Sequence, residues 1–140
     1  MVREWRERGY SMAWWAVIFA TVLVPLLALS IDITRLLYVR VRVQSAVDAA
    51  CEAAASTADI PAWREAGIRR IDPGEAAANA NYAFYRTAAE AGVVRYAPTL
   101  SRLEIVGDTA RCRAEASVQS FILPIPLRAW AEAEAQMRYR

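Results

Sequence analysis

Two cysteines, a scatter of serines and fifteen acidic side chains are what this chain offers for chemistry. It contains no histidine, so the commonest general base and metal ligand is missing. Cys51 and Cys112 stand 61 positions apart and make neither a CxxC pair nor a zinc spacing. No G-x-S-x-G elbow and no phosphate-cradling glycine loop occurs. Glu132 and Glu134 share one face of an alternating segment, but neighbouring carboxylates on a solvated face are ordinarily just solvated. The reading is a protein that is not an enzyme, with no catalytic residue, metal or cofactor. Net charge is +2 and no basic run interleaves with aromatics, which argues against nucleic acid as a partner.

The cysteines are the more informative feature. Cys51 falls in a helical pattern and Cys112 on the apolar parity of a strand pattern, so helix-on-sheet packing would bring them together. Outside the cytoplasm oxidation is permitted. A bridge closing so long a loop is worth about 4 kcal/mol in the chain-entropy model, an optimistic figure. Cys51 and Cys112 are therefore a candidate disulfide, with two reduced core residues as the alternative.

What must position such groups is an unusual first third. Residues 10–31 carry no charge. At about 1.5 Å per residue this run spans roughly 33 Å, close to the ~30 Å hydrocarbon core of a bilayer. The sequence divides into a tail at 1–9, a transmembrane helix at 10–31 and an α+β domain at 32–140. Trp5, Trp14 and Trp15 suit one interface, because indoles favour the headgroup region. Ala28-x-Ser30 offers the small-residue spacing of a signal cleavage site, which leaves a secreted soluble domain as an alternative. Arg3, Arg6 and Arg8 on one side nearly balance Arg35, Arg40 and Arg42 on the other, so charge does not set the orientation.

The helical pattern does not stop at the membrane. Leu36, Val39, Val43, Val47, Ala50 and Ala54 recur at spacings of three and four and form a stripe that shrinks from Leu and Val to Ala. Pro25 lies within the membrane part, and Pro61 marks the end of the helix. Asp32 and Arg35 stand one turn apart at the exit from lipid, where an i,i+3 ion pair is the simplest expectation. A connector follows, with Trp63 and Ile68 tucked onto the core. A second helix is expected from about Pro73 to Ala91, capped by Asp72 and ended by Gly92, with a stripe through Ala78, Tyr82, Tyr85 and Ala89 and Phe84 beside it, the aromatics read as core.

The period then changes to two. Ala110, Cys112, Ala114, Ala116 and Val118 alternate with polar residues, as in a strand with one buried face. "LSRLEIV" before it and Gly107-Asp108 between them complete a hairpin. In "WAEAEAQMRYR" strict alternation outweighs the helix propensity of Ala and Glu, and a strand is expected. Pro124 and Pro126 break the chain before it. The fold class is α+β and pilin-like: a long N-terminal helix, half in lipid, packs with a second helix against a small antiparallel sheet.

An Arg8-Gly9 pair before the apolar run, a proline within it and then "DITRLLYVRVRVQSAVDAACEAAA" resemble the Tad (tight-adherence) pilus-assembly proteins of the TadE/TadG-like kind. Asp32, Arg35, Tyr38, Gln44, Ala46, Asp48, Ala49 and Ala50 occupy the places of that family's pattern, over roughly residues 8 to 58. The resemblance implies a single-pass protein of the bacterial inner membrane, with its N-terminus inside and its domain outside. It implies a non-enzymatic part in anchoring or assembling a Flp/Tad-type pilus or secretion platform. Its partners would be the lipid bilayer, other membrane or pilus-assembly proteins met through the long helix, and a second copy of itself. Asp32, Arg35, Tyr38, Gln44 and Asp48 would be positioning contacts along that helix. A processed prepilin of this kind carries Glu at the fifth place after the cleaved glycine. Here that place holds Trp14, which favours an uncleaved, TadG-like anchor. The alternative of a different class is a small accessory subunit of another membrane complex, for example an energy-transducing one.

Overall fold

The structure, a computed structural model, describes residues 2–121 and 125–137, with side chains from Ser11 onward. The side chain of Trp5, and Pro124, Arg138, Tyr139 and Arg140 altogether, lie outside what is described.

A single helix, α1, runs from Val2 to Ala55 and continues through Pro25. From Ser11 it is long and apolar enough to cross a membrane. Beyond its apolar half the expected stripe is buried from Val39 on: Val39, Val43, Val47, Ala50 and Ala54 are fully covered, joined by Ala46 and Cys51, while Leu36 is partly buried. A short helix, α2 (Ile60–Ala66), begins at Asp59, whose carboxylate accepts from the Ala62 N–H at 3.0 Å. The next helix, α3 (Pro73–Glu90), is capped by Asp72, which accepts from the N–H groups of Gly74 and Glu75. Beyond it, Gly92 takes a positive φ of 69° that a side chain would resist. A 3-10 turn at Val94–Tyr96 leads into the sheet.

Strands β1 (Thr99–Val106), β2 (Thr109–Gln119) and β3 (Pro126–Gln136) form an antiparallel sheet with β2 in the middle. Every residue expected on the inner face of β2, from Ala110 to Val118, is buried. The terminal segment is a strand despite its Ala and Glu, and it starts earlier than its alternation announced. Pro126, expected to interrupt the chain, is its first residue, a place where a strand loses no ladder bond to proline. The α+β class is as expected. One arrangement differs: α3 packs chiefly along α1 and meets the sheet mainly at β1, while α1 itself lies across β2 and β3.

Two expected faces are corrected. On α3 the buried residues are Ala76, Ala80, Phe84 and Ala88, while Tyr82 and Tyr85 are exposed. The alanines of α3 let it approach the Ala-rich half of α1 closely, with the Phe84 ring as the one large group on that face; the tyrosines, on another side, keep their hydroxyls in water. In the connector, Ile71 is the core residue, whereas Trp63 and Ile68 are half exposed. Ile71 is fixed by its N–H, which donates to the Gly107 carbonyl at 3.1 Å, and by the bridge between Ala58 and Ile71.

Candidate functional site

The residues singled out on the long helix do not form a catalytic constellation; they attach the helix to its domain. Asp32 is 6% exposed. Its carboxylate accepts from the Ser120 hydroxyl at 2.6 Å and from the Phe121 backbone N–H at 2.8 Å. Sequence reasoning paired Asp32 with Arg35. Each instead meets residues far away in the chain. The Arg35 guanidinium lies over the Tyr96 ring, 5.7 Å from its centroid, with Nε 3.5 Å from the hydroxyl. That contact, with Arg95 beside it, holds the Tyr96 hydroxyl below the usual tyrosine range.

Farther along, Gln44 Nε2 donates to Asp48 at 2.9 Å and to the Glu132 carbonyl at 2.8 Å. Gln44 thus ties α1 to β3, an edge strand, and Asp48 orients the amide. Tyr38 differs from these: it is half exposed, with Arg42 over its ring at 5.3 Å. Ile33, Leu37 and Val41, at spacings of four, form an exposed apolar stripe on α1 beside it. Trp14 and Trp15 are exposed on the apolar part of the helix.

Cys51 and Cys112 are brought together, both buried and both free thiols. They share a hydrogen bond, which with burial pushes the Cys112 thiol above the ordinary range. Cys51 also donates to the carbonyls of Ala110 and Ala133, at 3.2 and 3.3 Å. Beside this pair a groove opens between α1, α2 and the end of β3, and Trp63 and Ile68 line its rim. Glu132 and Glu134 are not merely solvated: they pair across strands with Arg113 at 3.2 Å and Arg111 at 3.1 Å. Among the described residues, no group of three or more His, Cys, Asp or Glu side chains could hold a metal ion.

Sequence reasoning missed Tyr96, Ser120, Phe121 and Trp130, the partners of the helix. Trp130 lies beneath both Arg40 of α1 and Arg113 of β2, at 5.2 and 5.6 Å. No local pattern marks these residues, because their significance comes from the chain's return to the helix.

Comparison with known families places this helix. Residues 9–57 match a family described as putative Flp pilus-assembly TadE/G-like. The long helix is similar to that family over this span. The matched span takes in α1 from Gly9 and stops at Thr57, just beyond its end, so the resemblance read from the Asp-Arg-Gln-Asp pattern is borne out where it was drawn. No curated protein and no solved structure matches the chain. The TadE/G-like match and the apolar N-terminal helix fit a membrane-anchored pilus-assembly protein. Within the matched span, Asp32, Arg35 and Gln44 face their own domain, and Tyr38 stands at its edge.

Proposed function

We propose that this protein is a non-enzymatic, single-pass component of a Flp/Tad-type pilus or secretion platform, held in the bacterial inner membrane with its N-terminus inside and its domain outside. One observation carries the reading: the TadE/G-like helix passes without a break from a membrane-length apolar segment into the core of the domain. A rigid helix that is both anchor and spine fixes the domain's height and orientation above the bilayer, which suits a part in assembly. Asp32, Arg35, Gln44 and Asp48 position the domain on the helix. Tyr38 and the Ile33–Leu37–Val41 stripe are the surface offered to a neighbouring helix, from a platform protein or a second copy.

The test is photo-crosslinking from Leu37 and Val41 in the native membrane, with the captured chains identified by mass spectrometry. Capture of pilus or platform proteins, or of a second copy, is expected. Recovery of a cofactor-bearing complex in fixed ratio would replace the reading with that of an accessory subunit. A protein recovered without its first thirty residues would instead be a secreted domain.

A further inference from the structure

We infer that the base of the domain is a second lipid contact, in which Phe121 and Ile125 enter the interface of the bilayer that α1 crosses. This rests on the anchor reading above and adds a surface that lies outside the TadE/G-like span.

The depth of this base follows from the helix. With Trp14 and Trp15 at one interface, a hydrocarbon core of ~30 Å takes up about 20 helical residues and ends near residue 34. Asp32 lies inside that limit. An ionised carboxylate at such a depth is costly unless hydrogen-bonded, and here Ser120 and the Phe121 N–H supply donors. The chain after β2 must therefore descend to the level of Asp32. A second observation places cover deeper still. Ala28, one turn nearer the membrane centre on the same face, is 9% exposed, whereas Ala13, Ala16 and Ala20 are exposed.

At that level the domain presents apolar groups outward. Phe121 is 71% exposed and Ile125 51%. Phe121 uses only its backbone N–H to reach Asp32, so its ring is free of that bond. Val94 is exposed as well, in the turn that holds Tyr96 under Arg35 and Arg95. Apolar tips with guanidinium groups beside them match the layering of an interface, with acyl chains below and phosphates above. Lipid is the occupant favoured, because the surface is continuous with the membrane helix and a soluble partner would have to wedge between domain and bilayer.

The full chain in phosphatidylethanolamine–phosphatidylglycerol vesicles tests this. Phe121→Cys and Ile125→Cys, each labelled with an environment-sensitive fluorophore, are compared with Leu27→Cys on the apolar helix and Tyr82→Cys on α3. The two buried native thiols are controlled by labelling the unsubstituted chain. Circular dichroism checks that each variant is folded. A blue shift at 121 and 125, with quenching by lipids carrying a shallow nitroxide, is expected, while position 82 stays unquenched under the same label. Labels at 121 and 125 that behave as at 82, with position 27 quenched, overturn the inference and leave the anchor standing. Loss of quenching at 27 overturns both.

Discussion

The carboxylate of Asp32 accepts the backbone N–H of Phe121 at 2.8 Å, joining positions 89 residues apart. The same carboxylate takes the Ser120 hydroxyl, so one side chain fixes where the β2–β3 connection meets the helix. Replacing it removes the acceptor that both part-buried donors share. Asp32→Ala should lower stability by about 2 kcal/mol, and Asp32→Asn, which keeps an acceptor, by less. Denaturation in detergent micelles measures both, and faster amide exchange at Phe121 should accompany the loss. An unchanged exchange rate would mean that the contact does not hold this segment.

Burial on α3 follows Phe84 and not the tyrosines. Phe84→Ala should cost roughly 3–5 kcal/mol, because a fully buried ring leaves a cavity among alanines that cannot close around it. Tyr82→Ala should change stability by about 0.5 kcal/mol or less. Paired unfolding curves decide the phase of the helix, and a larger effect at Tyr82 would reverse it.

Cys51 and Cys112 lie together in the core and share a hydrogen bond, so mild oxidation should link them within one chain. Intact mass before and after reduction, with alkylation of whatever thiols are free, reports the bridge. The raised Cys112 thiol also predicts slow alkylation in the native fold even at mildly alkaline pH, where an ordinary cysteine is partly thiolate. Rapid native alkylation of both thiols would contradict this packing.

Acid should loosen the connector that carries α2. The Ala62 N–H, together with the Arg70 guanidinium 2.6 Å away, holds the Asp59 carboxyl below its usual range. A depressed folded value means that the stabilisation is present above the unfolded aspartate value of about 3.9 and is lost as pH falls through the folded one. Carboxyl-carbon NMR should place the Asp59 inflection below that of an unfolded aspartate, and Asp59→Asn should remove this part of the acid sensitivity. An inflection at or above the unfolded value would refute the cap's electrostatic role.

What the sequence by itself determined was whatever depends on neighbours along the chain. Charge-free residues 10–31 announced the apolar helix, and the spacing from Val39 to Ala54 announced its buried stripe. The alternation from Ala110 to Val118 announced β2 and its inner face, and Asp72 with Pro73 set the start of α3. The order of Asp32, Arg35, Gln44 and Asp48 pointed to the TadE/G-like family. Only the tertiary structure decided what those polar residues touch. A one-turn spacing permits an Asp32–Arg35 pair, but Ser120, Phe121 and Tyr96 come into reach only when the sheet folds back along the helix. The choice between Phe84 and the tyrosines was likewise made by a partner surface: α3 has apolar residues on more than one side, and the small side chains of α1 select the face that can approach most closely. Periodicity is a property of the local chain, while a contact across many residues depends on loop closure and shape, which no short window contains.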